Sequence, residues 1–192
     1  MTIDFRGIAE GMREELVTRR RDFHMHPELG FEEVRTSGIV ASELSKLGLE
    51  VQTHVGRTGV VGMLKGDHDG PTVLVRGDMD ALPIQEQTGV SYVSQTPGKM
   101  HACGHDAHIT IALAVAKIMT GFRSQLAGRI KFVFQPGEEG HGGALEMIRD
   151  GILKNPKPDV VLGLHVWNEL PLGTIGVASG AVMSGSSVFT II

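Results

Sequence analysis

Four short segments hold the side chains best suited to chemistry. "GDMDALP" (77–83) carries Asp78 and Asp80, and "MHACGHDAH" (100–108) carries Cys103 with His101, His105 and His108. "QPGEEG" (135–140) carries Glu138 and Glu139, and "GLHV" (163–166) carries His165. Thiolate, imidazole and carboxylate are the common ligands of zinc and related divalent ions. Cys103 is the only cysteine, and the segment around it holds three of the nine histidines. In an extended loop, Cys103 and His105 can point to one side, as two ligands of one ion would.

Each residue also has an ordinary reading. A lone thiol is commonly buried. Adjacent acids at a helix start suit the helix dipole, which would account for Glu138 and Glu139. Asp80 could serve only as a turn residue before Pro83, and His165 as a satisfied core histidine. His101 and His108 read as polar loop or helix-face residues, and His54, His68 and His141 as exposed. His24 and His26, in "HMHPELGFEE", stay open between exposed residues at a helix terminus and support for a site.

The elements that must position these residues decide between the readings. Apolar spacing at Ile8, Met12, Leu16 and Phe23 predicts a helix over about 6–25, ended by Pro27. A second helix is expected from about Glu33 to Leu47, closed by Gly48. "GVVGMLKG" reads as a strand, "DHDG" as a turn, and "TVLVRGD" as a β-branched strand. "DAHITIALAVAKIMTGF" reads as a helix with Asp106 as its N-cap. "RIKFVFQP" is a strand ended by Pro136, and "GGALEMIRDGIL" a short helix. "KNPKP" is a loop, while "DVVLGLHV" and "GTIGVAS" read as strands.

Apolar strands alternating with helices predict an α/β/α sandwich around a largely parallel mixed sheet. Ligands of such sheets bind beyond the carboxyl ends of the strands. Asp78 and Asp80 follow one strand, Glu138 and Glu139 another, and His165 closes a third. The Cys103 loop precedes a long helix. All four segments are therefore expected at one edge, where a metal site accounts for them jointly.

Composition narrows the function classes. Of 192 residues 41 % are hydrophobic, which suffices for a core. A net charge of −4 offers no basic face for nucleic acid or anionic membrane. The charged N-terminus lacks the apolar core of a secretory signal, and "ITIALAVAKIM" is too short to span a bilayer. The expectation is a soluble, cytoplasmic protein. "SSVFTII" reads as a strand just begun, so the chain is expected to be truncated.

"RGDMDALP", "MHACGHDAH", "QPGEEG" and "GLHV", in this order and with "HMHPELGFEE" before them, resemble the peptidase family M20 amidohydrolases. The subgroup that matches is that of N-acyl-amino-acid amidohydrolases, hippurate hydrolases and auxin-conjugate hydrolases. The resemblance runs over essentially the whole chain. It implies a zinc-exopeptidase-like catalytic domain and a two-metal hydrolase of linear amides. Cys103, His105, Glu139 and His165 would be metal ligands, Glu138 the general base, and Asp80 the carboxylate supporting the site. Asp78 stands where relatives outside this subgroup place a ligand histidine and is not assigned as one. The metals would be two divalent ions: zinc, manganese, cobalt or nickel.

The substrate would be a small N-acyl amino acid, cleaved to a carboxylic acid and an amino acid. The full-length protein would be a homodimer or tetramer, with neither nucleic acid nor membrane as partner. Relatives insert a lid and dimerisation domain after a strand like "SSVFTII" and later supply a last histidine ligand. Residues 1–185 would thus be the N-terminal part of the catalytic domain and 186–192 the first strand of a lid. Two other readings compete: a cysteine hydrolase using Cys103, and a non-catalytic metal-binding module.

Overall fold

The computed structural model describes residues 3–183. The chain opens with two helices, α1 (Phe5–Gly11) and α2 (Arg13–Met25), where the periodicity predicts one. The break falls at Met12, which ends α1 and begins α2. Gly11 precedes it, and glycine weakens a helix by raising the entropy lost on ordering. His26 ends α2 outside helical geometry, as a residue before proline should.

Helix α3 (Val34–Lys46) buries Thr36, Val40 and Leu44, one stripe at four-residue spacing. Its first turn is capped from a distance. The Glu28 carboxylate accepts hydrogen bonds from the Arg35 and Thr36 amides at 2.9 and 2.8 Å. Strand β1 (Glu50–Val55) escapes the sequence reading because it is a largely exposed edge strand with little apolar alternation. It pairs with β2 (Gly59–Lys65) in a hairpin whose turn takes positive φ at Gly56 and Arg57.

Strand β3 (His68–Asp78) absorbs most of the expected "DHDG" turn, with an irregular register between His68 and Thr72. Helix α4 (His105–Thr120) is capped by Gly104 and not by Asp106. Gly104 has φ of +82°, and a side chain there would strike Val166. Only glycine meets both conditions. After a 3₁₀ turn (Arg123–Gln125) come β4 (Ala127–Gln135), α5 (Gly143–Arg149) and β5 (Val160–Gly163). "GTIGVAS" forms no strand. It is highly exposed at Ile175 and Val177, and no neighbour among the described residues supplies the pairing that its β-branched residues would need. The expected strand at 186–192 lies outside the described residues.

The sheet order is β1-β2-β4-β3-β5. It is mixed: β3 runs parallel to β4 and β5, while β1–β2 and β2–β4 are antiparallel. Alternation along the strands builds two cores. Val60, Phe132 and Phe134 face Phe23, Val40, Leu44 and Ile109 from α2, α3 and α4. Val61 and Val133 face Met147 of α5 on the other side. This is the predicted α/β/α layering. Buried Lys131 donates to the Ile152 and Pro156 carbonyls at 2.8 and 2.7 Å, tying the 152–156 loop to that second face.

Register sets the functional edge. Asp78 lies opposite Gln135 and Arg76 opposite Gly163, so three parallel strands end nearly level. Residues 78–80, 138–139 and 165 therefore leave the sheet on one side. There the N-terminus of α4 meets them.

Candidate metal centre

Past β3 the chain stays extended. Met79 turns into the core, so Asp78 and Asp80 share the other side. The two carboxylates are fully or almost fully buried. Asp80 ties the segments of His105 and Glu139 together. Its Oδ2 accepts the Glu139 amide at 2.9 Å, and its backbone carbonyl accepts from His105 Nδ1 at 2.8 Å. A carbonyl cannot donate, so His105 carries a proton on Nδ1, and the neutral ring presents a lone pair at Nε2. His165 is arranged alike. Its Nδ1 donates to the Val166 carbonyl at 2.7 Å, and its Nε2 lies 3.4 Å from Cys103 Sγ.

What surrounds His105 Nε2 defines the site. Asp78 Oδ2 is 3.6 Å away, Glu139 Oε1 3.8 Å and Glu138 Oε2 4.0 Å. None of these is a hydrogen bond. Both His105 Nε2 and Glu139 Oε1 are buried without a partner. An unpaired buried polar atom costs about 1–3 kcal/mol. Two acceptors facing each other across such a gap fit a cation between them. Three sets of three possible ligand atoms share His105, with Cys103 and His165, with Glu138 and Glu139, and with Asp78 and His108, the atoms of each set lying within 4.8 Å of one another. The nitrogen, oxygen and sulfur donors suit zinc or a comparable transition ion.

The electrostatics favour positive charge at this point, which a proton or a bound cation can supply. Burial opposes charge on His105, but its bond to Asp80 and the charges of Asp78, Asp80 and Glu139 hold its pKa above the usual value. Asp78 falls to about 2: burial alone would raise it, and the His108 hydrogen bond with the charges of His105 and Arg76 outweighs that. Burial, followed by Glu139, Glu138 and Asp78, pushes the Cys103 thiol up to about 12. A thiolate is stable here only beside a cation. A cysteine nucleophile needs the opposite, a lowered pKa.

All six residues expected at the site, Asp80, Cys103, His105, Glu138, Glu139 and His165, are brought together. Of their supports, the sequence left His24 open as one and singled out neither His101 and His108 nor Glu33. His101 and His108 are buried and not superficial. Burial pushes His101 down to about 4. His108 hydrogen-bonds Asp78, and its place three residues after His105 on one helix face was the available signal.

Asp106, displaced from the cap, accepts from Arg20 at 2.8 Å and pairs with His24 Nδ1 at 2.7 Å. His24 Nε2 reaches Glu86 at 3.2 Å. His24 is therefore a buried support. The Asp106 hydrogen bond raises its pKa against the pull of burial, and Glu86 adds to the rise. A raised histidine contributes stability fully below its unfolded pKa, near 6.5, and loses it as pH rises through the folded value. The metal-free chain is thus expected to exceed His24→Gln in stability most at about pH 5–6, with the gap narrowing toward pH 9. Urea denaturation across that range checks it; a gap independent of pH would contradict a charged His24.

Glu33, fully buried, braces the loop that leads into Glu138 and Glu139. It accepts the Gly137 amide at 2.8 Å and the Thr58 hydroxyl. Glu33→Ala strands both donors and is expected to cost about 2–5 kcal/mol. A denaturation midpoint within experimental error of the parent's would refute that brace.

The model of "Peptidase family M20/M25/M40" matches residues 74–184. The chain is 38 % identical to an N-acyl-L-amino acid amidohydrolase of Geobacillus stearothermophilus, over 98 % of this chain and 50 % of the relative. It is 45 % identical to an IAA-amino acid hydrolase of Arabidopsis thaliana, over 91 % of this chain and 39 % of the relative. Among solved structures, the YXEP protein of Bacillus subtilis, a dinuclear metal binding peptidase from the M20 family, superposes with a TM-score of 0.84 at 40 % identity. That match covers 89 % of this chain and 47 % of the other. The chain spans about half the length of the relatives it matches.

Proposed function

We propose, from the premise that this chain belongs to peptidase family M20/M25/M40, that it carries the ligand cluster and general base of a two-metal amidohydrolase acting on N-acyl amino acids. The observation that carries this reading is the pair of buried, partnerless acceptors, His105 Nε2 and Glu139 Oε1, facing each other 3.8 Å apart. Cys103, His105, Glu139 and His165 would hold two divalent ions, of zinc, manganese, cobalt or nickel. Bound there, such ions supply Lewis acidity and lower the pKa of water toward ~7.

The chain's own residues divide the remaining work. Asp80 keeps His105 in the tautomer that presents Nε2. Glu139 is anchored through its amide to Asp80 and has a side chain 23 % exposed, against 40 % for Glu138. The Glu138 carboxylate makes no hydrogen bond among the described residues and is free for proton transfer. It accepts a proton from the attacking water and delivers it to the leaving nitrogen as the C–N bond breaks. The water oxygen ends on the acyl carbon, giving a carboxylic acid and an amino acid. On the same reading the whole protein is a cytoplasmic homodimer or tetramer acting on small substrates, with neither nucleic acid nor membrane as partner. No helix among the described residues is long and apolar enough to cross a membrane.

The deciding experiment is metal content after loading with zinc or manganese and dialysis. A ratio near two ions per chain supports the reading, and in the full-length protein it should accompany hydrolysis of N-acetyl or N-benzoyl amino acids. A full-length chain that retains no metal would overturn it.

A further inference from the structure

His108, the last histidine of "MHACGHDAH", takes no part in the function proposed above, although it lies with Asp78 and His105 in a fully buried set. Its surroundings determine what it does. The Val166 amide donates to His108 Nε2 at 2.9 Å. An atom that accepts an N–H carries no proton, so the ring proton sits on Nδ1. From there it is donated to Asp78 Oδ1 at 2.6 Å. Asp78 is held in turn by Arg76, whose guanidinium lies 2.5 Å from Oδ2. Both ring nitrogens of His108 are therefore engaged, and neither is left for an ion.

The other end of this chain of contacts is His165. Strand β5 stops at Gly163, and among the described residues no sheet pairing holds residues 164–168. Val166 supplies the missing anchor twice. Its amide is fixed by His108, and its carbonyl fixes His165 Nδ1 at 2.7 Å. The His108 and His165 rings also pack edge to face, with centroids 4.7 Å apart. Gly104 leaves the space in which Val166 sits.

We propose that His108 is a positioning residue: buffered by Asp78 and Arg76, it clamps Val166 and thereby aims His165 Nε2 at Cys103. The metal-binding part of this inference rests on the reading of His165 as a ligand, whereas the clamp itself does not. It gives the buried Asp78 carboxylate a role beside the site other than that of a ligand. Supports of this kind typically change metal affinity 10–100-fold when removed.

Two variants and two readouts test it. His108→Gln can still offer an oxygen to the Val166 amide. His108→Asn can still donate to Asp78 but leaves that amide unpaired. In the metal-free chain, long-range ¹H–¹⁵N spectra should show the Nδ1–H tautomer of His108. Hydrogen exchange at Val166 should speed by about tenfold or more in the Asn variant and stay near the parent rate in the Gln variant. Zinc titration should show affinity reduced by about 10–100-fold in the Asn variant and largely retained in the Gln variant. An Nε2–H tautomer, Val166 exchange indifferent to both variants, or equal zinc affinity in all three proteins would overturn the proposal. If the parent itself binds no zinc while tautomer and exchange behave as stated, the clamp stands and the metal-centre reading fails.

Discussion

Glu138→Gln in the full-length protein is expected to lower kcat by about 10²–10⁴-fold while leaving metal content unchanged. The substitution keeps size and shape but removes the capacity to take a proton. Glu138 is the more exposed of the two adjacent acids, and its carboxylate makes no hydrogen bond among the described residues. Nothing in the scaffold should therefore notice the change. Glu139→Gln provides the contrast. Its side chain points inward at His105 Nε2, and its loss should deplete metal first and activity as a consequence. Elemental analysis of both variants beside their kcat values separates the roles. If Glu138→Gln retained turnover within a few-fold of the parent, Glu138 would not be the base. If it lost its metal, the two acids would have been assigned the wrong way round.

The placement of most candidate site residues was legible because they obey a rule about strand ends. Apolar, β-branched runs announce β3, β4 and β5, and Asp80, Glu138, Glu139 and His165 stand immediately beyond them. Only the level of those ends needed coordinates, and the pairing of Asp78 with Gln135 and of Arg76 with Gly163 supplies it. The supports were mostly not legible, only His24 being left open as one, and distance along the chain is the reason. His24 meets Asp106 across 82 positions, Glu33 meets Gly137 across 104, and His108 meets Val166 across 58. No local periodicity encodes such partners. A polar residue in a helical pattern looks the same whether it faces water or a buried carboxylate. Asp106 illustrates the error: N-terminal position and residue type suggest a cap, but Gly104 does the capping and Asp106 is drawn to Arg20 and His24. The edge strand β1 was missed for a related reason, since exposed strands need little apolar alternation.

Cys103→Ser is the second change with a large expected effect, and it separates metal chemistry from thiol chemistry. Burial and three nearby carboxylates push the Cys103 thiol up to about 12, so the free protein holds it protonated. A divalent ion reverses this by favouring the thiolate, which it binds far better than a neutral hydroxyl. The serine variant should therefore lose metal affinity by about 100-fold or more, and activity of the full-length protein should fall with metal occupancy. Excess metal should restore part of that activity. A thiol nucleophile would behave otherwise. It would survive chelators, and its serine variant would stay inactive at every metal concentration. Chelation of the unsubstituted protein closes the comparison: activity should vanish and return when zinc or manganese is added back. Alkylation gives a measure that needs no turnover, because bound metal should shield Cys103 from a thiol reagent that labels the metal-free chain slowly. Equal labelling with and without metal would remove Cys103 from the ligand set and leave His105, Glu139 and His165 to hold the site without it.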